Sequence, residues 1–132
     1  MATVVKYKEH TGWTSRAEIV EIEYDFAKDA GAVGALDLLK VKEGTIVKWC
    51  GAKVKTACTS GGLATVSVGI SGDSAGLIGS TAVASLTADA AIDSASFGST
   101  YKLASDAIIQ MTIGTAALTA GKIVFCFELL KF

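Results

Sequence analysis

The chain has 132 residues, 51% of them hydrophobic and 19% charged, with 14 glycines, 3 cysteines, 1 histidine and no proline. One compact domain of this length hides roughly two-thirds of its unfolded surface, so disorder is excluded and neither disulfides nor metal are needed to hold a core. Twelve basic residues against thirteen acidic ones leave a formal charge of -1, which argues against nucleic acid as a partner, since phosphate binding needs a basic face. Lys6, Lys8 and Glu9 interrupt any signal-peptide core, and the longest apolar run, Ile123 to Phe127, is far below the roughly twenty residues of a membrane helix. No membrane partner is expected, and the chain is expected to be made in a cytosol and to keep its thiols reduced.

Residues 1–17 read as an N-terminal arm or extended segment, and residues 18–132 as the folded domain. Ala2 to Tyr7 has strand-like apolar content, but Lys8 to Gly12 and Thr14 to Arg16 break the pattern. The first convincing strand follows, with Val20, Ile22, Tyr24 and Phe26 on one face and Glu21, Glu23 and Asp25 on the other, the period of a half-buried antiparallel strand. A helix over Lys28 to Leu39 competes with a strand over Leu36 to Val41, and Gly31 and Gly34 weaken the helix. Lys42-Glu43-Gly44-Thr45 suits a tight turn. A long strand then runs from Ile46 to about Cys58, with its apolar phase changing at Gly51, which predicts a bend there.

Thr59 to Gly62 separates that strand from the alternating run Leu63 to Gly69, a hairpin signal. Residues 70–100 read as a long loop excursion rich in Gly, Ala and Ser, with a short helical turn somewhere between Ala82 and Ala91. Strands resume at Asp106 to Ile113 and Lys122 to Phe132, and these last two are expected to pair. Six or seven short strands, glycine turns and little helix predict an all-β fold, a single antiparallel β-sandwich that is jelly-roll-like or otherwise Greek-key.

Few residues invite a chemical role. Cys50, Cys58 and Cys126 lack the spacing of a zinc site and read as small buried hydrophobes. His10 is the one imidazole, placed in a polar segment, so Ser-His or Cys-His catalysis has no support. Gly69 to Gly76 lacks the lysine of a phosphate loop and the repeats of a calcium roll. It reads as a turn in which Asp73 bonds nearby backbone amides. Glu21, Glu23 and Asp25 read as a solvated strand face, Trp49 as core, and Trp13 as an anchor pressed into another chain. Neither a cofactor nor a metal is implied.

The block from Glu23-Tyr-Asp-Phe26 through Gly61 to Gly69, with Gly72-Asp73 and Gly76-Leu-Ile78, resembles the capsid decoration, or cement, proteins of tailed bacteriophages. So does the ending, from Asp106 to Thr112 through Thr119-Ala-Gly-Lys122 to a final apolar strand. The resemblance spans roughly residues 18–130 and rests on pattern and residue class. It implies a non-enzymatic β-rich protein of the virion, commonly a homotrimer, that is synthesised in the bacterial host cytoplasm and sits on the capsid outer surface. The implied partners are the major capsid protein and further copies of the chain. The N-terminal segment, with Trp13 and Arg16, and the 70–100 excursion, with Leu77 and Ile78, are then expected at interfaces. A carbohydrate- or receptor-binding virion sandwich, for which Trp13, Phe97 and Tyr101 are the candidate aromatics, and a tail or neck protein are the alternatives.

Overall fold

A computed structural model describes residues 17–93 and 101–130. Among these residues nine strands form two antiparallel sheets packed face to face: β1 (Ala17–Asp25), β2 (Gly34–Val41), β3 (Ile46–Ser60), β4 (Thr65–Ile70), β5 (Asp73–Ala82), β6 (Ala91–Asp93), β7 (Tyr101–Lys102), β8 (Ala107–Gly114) and β9 (Leu118–Leu130). Sheet A runs β1-β9-β3-β6, with β7 also paired to β3, and sheet B runs β2-β8-β4-β5. The expected all-β sandwich is therefore the observed one.

Strand β9 organises sheet A. Its residues alternate between buried and half-buried along nearly its whole length, so one row faces the core and the other faces out. The inward row is Ile123, Phe125, Phe127 and Leu129. In register across the sheet, Ile123 lies between Tyr24 and Val54, Phe125 between Ile22 and Ala52, and Phe127 between Val20 and Cys50. Sheet B answers with Val66, Val68, Leu77, Ile78, Ile109, Met111 and Ile113, all buried. Interdigitated side chains from two such faces are what hold a sandwich together.

The chain crosses repeatedly between sheets, and several local expectations are corrected by those crossings. Gly61-Gly62 is not a hairpin loop: β3 and β4 lie in different sheets. β8 and β9 likewise do not pair, because the segment after Gly114 carries the chain from sheet B to sheet A. Among the described residues the hairpin that does form is β4-β5, with Ile70 opposite Asp73 and Gly72 at φ 89° in the turn. That left-handed backbone is one that glycine adopts without steric cost. Residues 73–82, read as loop, are a ten-residue edge strand. Only Leu77 and Ile78 in it are buried apolar residues, so small residues hid its period. A 3-10 turn at Val83–Ser85 follows, and Leu86 to Ala90 returns along β3 through backbone bonds such as Cys58 N–H to the Leu86 carbonyl at 2.9 Å.

The competing Lys28 to Leu39 helix does not form, yet one turn of helix does, α1 (Phe26–Asp29). Phe26, expected on the strand, begins it. Asp25 caps it by accepting from the Ala27 N–H at 3.0 Å and lies 3.7 Å from Lys122 of β9. The turn beyond is pinned by the Tyr24 hydroxyl, which donates to the Ala30 carbonyl at 2.6 Å. Asp25→Ala is expected to cost about 1 kcal/mol, chiefly the cap, with Asp25→Asn recovering most of it because the amide oxygen still accepts. The urea midpoints of the two variants check this.

The 42–45 turn is present, with Gly44 at φ 85° and the Asp106 carboxylate accepting from the Glu43 N–H at 2.8 Å. The bend in β3 falls earlier than Gly51. The register slips between Val47 and Trp49, so Cys50 points inward and Trp49, expected in the core, turns out to solvent. A bulge of one extra residue switches every following side chain to the other face.

Candidate interaction surface

The outward row of β9 defines the most distinctive surface. Leu130 has Ile46 on one side, Glu128 lies between Ile19 and Trp49, Cys126 between Glu21 and Gly51, and Val124 between Glu23 and Lys53. Ile19 is 72% exposed and Trp49 42%. The far edge of the Trp49 indole lies over Gly51, in the space a Cβ there would need. Glycine thus lets a large aromatic lie flat on the sheet. Beside it is a shallow depression of about 350 Å³ lined by Glu21, Trp49, Lys53, Ile92, Val124 and Cys126.

Charge is graded across this face. Glu21 and Glu23 are exposed on β1, and among the described residues neither joins an ion pair. On the far side, Lys53 lies 3.8 Å from Asp89, and Lys102 pairs in register with Ile46. The outer face of sheet B carries Asp37, bonded to Gln110 at 2.9 Å, with Lys40, Thr65 and Thr112, and one exposed apolar side chain, Ile108. Sheet A's outer face is set apart by Ile19 and Trp49, which flank Glu128 across adjacent strands.

Nothing in the described residues gathers the groups of a reaction centre. Burial, with the Cys126 charge second, pushes the Cys50 thiol up to about 12, and burial pushes the Cys58 thiol up as well. Both stay protonated at neutral pH and are poor nucleophiles. Among the described residues no group of three His, Cys, Asp or Glu could hold a metal. Asp73 does not bond backbone amides as expected: its carboxylate accepts from the Tyr101 hydroxyl at 2.6 Å, joining β5 to β7. Burial, and then that carboxylate, push the Tyr101 phenol up to about 12.

The sequence-based candidates divide. Trp13 and Arg16, with His10 and Phe97, lie outside the described residues. Leu77 and Ile78 are brought into the core, at 0% and 3% exposure, so in this fold neither presents a surface to a partner. Hydrophobic residues in a small-residue segment resemble interface anchors, and only their burial in the folded sandwich, with Ile78 opposite Val68, shows that they lie inside. The surface residues missed were Ile19 and Trp49. Ile19 was legible, being out of phase with Val20 and Ile22, whereas Trp49 was hidden by the bulge.

No protein-family model matches the chain, and no curated protein matches it. Its fold is nonetheless shared with solved chains. One, from the acidic stable capsid structure of Helicobacter pylori bacteriophage KHP30, superposes with a TM-score of 0.68 at 15% identity, covering 89% of this chain and 89% of that one. Another, from the capsid asymmetric unit of cyanophage Pam1, has a TM-score of 0.67 at 14% identity, covering 96% of this chain and 93% of that one. At such identities the likeness is one of fold. Because the matched shares are nearly equal on both sides, those chains are close to this one in length.

Proposed function

We propose that this protein is a structural component of a bacteriophage virion that binds the outer surface of the capsid and stabilises the shell through inter-subunit contacts. The observation that carries the reading is the match, over nearly the full length of both partners, to similarly short chains in two phage capsid structures. Decoration works through many copies of a modest contact, each stabilising the assembled state by mass action. The partners in this reading are the major capsid protein and copies of the chain itself, as a homotrimer, and the role is non-enzymatic.

The test is imaging of virions made with and without the gene. Density is expected to disappear from the outer shell, and virions lacking the protein should lose their genome at lower temperature. Loss of density from the tail or neck would overturn the capsid assignment. Deleting residues 2–16, which spares β1, is expected to abolish shell binding while leaving the far-ultraviolet circular dichroism of the β fold unchanged. Full shell occupancy by that variant would remove the N-terminal segment from the contact.

A further inference from the structure

We propose that the outer face of sheet A is the docking surface for the chain's own N-terminal segment, residues 2–16. The face is an exposed sheet surface with Ile19, Trp49, Val124, Cys126 and Leu130 in adjoining register positions. Apolar area gathered in one place on a surface marks an interaction site, whereas the same residues scattered would not. The segment has the matching composition: Val4, Val5, Tyr7 and Trp13 are apolar, and Lys6, Lys8 and Arg16 outnumber the single acid Glu9. The carboxylates of the face, Glu128, Glu21 and Glu23, lie on its β1-β9 side at about 7, 14 and 20 Å along β1 from Ala17, where the segment joins the domain. The lysines Lys48, Lys53 and Lys102 lie beyond, along β3, and Lys122 of β9 is paired with Asp25. A basic, aromatic strip thus meets an acidic, apolar one at the point of attachment.

Length and tethering agree. The nine paired residues of β9, Lys122 to Leu130, span about 30 Å of sheet. The sixteen residues that precede β1 reach about 55 Å when extended, enough to turn and cross the face. A short covalent tether holds the segment at millimolar effective concentration, so weak contacts suffice to fill the site. Trp13, or Tyr7, supplies the large ring that the depression beside Trp49 accommodates.

Cys126 provides the probe, since it stands half-buried in the middle of the face while Cys50 and Cys58 are buried. The experiment compares iodoacetamide labelling of Cys126, by mass spectrometry, in the full-length protein and in a full-length Trp13→Ala/Lys8→Glu/Arg16→Glu variant. Labelling is expected about tenfold faster in the variant, the change produced when a docked state favoured ten to one is lost. Cys50 and Cys58 stay unlabelled if the domain is folded. In a second full-length variant, Thr11→Cys, mild oxidation should give a disulfide between the new thiol and Cys126. A product of one-chain mass seats the segment on its own sheet and upholds the docking; a multimeric product, which seats it on a neighbour's sheet, overturns it. Equal labelling rates with no such disulfide would overturn it. So would protection of Cys126 that survives the triple variant and disappears on dilution, which would put a second copy on the face. Purified protein without shells is used, so this docking and the capsid assignment stand or fall separately.

Discussion

Replacing Phe127 by alanine is expected to destabilise the protein by about 3 to 5 kcal/mol, the range for removing a large buried aromatic. Phe127 is fully buried on the central strand of sheet A, between Val20 and Cys50, facing the inner surface of sheet B. Removing the ring forfeits its transfer from water and leaves a void that β9, paired on both edges, cannot close by moving. Against a total stability of roughly 5 to 15 kcal/mol this is a severe loss. Phe127→Leu, which keeps most of the volume, should cost less than half as much. Val124→Ala, on the outward row three residues away, is the control. Urea unfolding followed by intrinsic fluorescence reads all three, and equal midpoints for Phe127→Ala and Val124→Ala would contradict the assignment of the two faces of β9.

Alkaline pH is the second expected weakness. The Cys50 thiol is held up at about 12 against an ordinary 9.0 by burial and by the charge of Cys126. The Tyr24 phenol is held up at about 12 against 10.0, by burial first and then by Cys58, Asp29 and Asp25. Both groups bind their protons more tightly when folded, so the stability they contribute is complete below the unfolded values. It is lost as pH rises through 9 to 12 for Cys50 and through 10 to 12 for Tyr24. The slope is on the order of 1 kcal/mol per pH unit for each group inside its window. Urea midpoints taken from pH 8 to pH 11 should fall steadily. Cys50→Ala should start lower, because of the small cavity, yet fall less steeply above pH 9. An unchanged slope in that variant would show that the thiol is not the group being titrated.

Much of the architecture was written in local pattern. The alternation of Val20, Ile22 and Tyr24 against Glu21 and Glu23 gave β1 its two faces, and Lys42 to Thr45 announced the turn between β2 and β3. What misled were features whose signal is not local. β5 is built largely from Gly, Ala, Ser and Thr, and its edge position asks for only two core residues, so its composition looked like loop. The bulge before Trp49 is a property of the pairing with β9 and leaves no mark in the composition of β3. Glycine at 51 was a real clue, but to the resting place of the indole and not to the bend.

The candidate surface was legible in fragments. Glu21 and Glu23 form the solvent face that the alternation of β1 predicts, whereas Asp25 turns to cap α1 and pair with Lys122; Cys50 and Cys58 are buried, whereas Cys126 is only half-buried. Their neighbours were not foreseeable, because Ile19, Trp49 and Cys126 come from three strands and meet only through the order β1-β9-β3. Leu77 and Ile78 were the reverse case, apolar residues assigned to a surface before the sheet that buries them was known.

By itself, then, the amino-acid sequence determined the class of the molecule: a chain with alternating strands, glycine turns and no gathered catalytic groups can satisfy its backbone and hide its apolar rows only as packed antiparallel sheets. Tertiary structure decided which sheet each strand joins, which face each bulged strand presents and therefore what the surface offers to a partner. The physical reason is range. Side-chain alternation is imposed by neighbours one and two residues away, whereas strand order and register depend on pairings more than a hundred residues apart, such as Ala17 with Leu130, whose free energy is realised only when the whole sandwich closes.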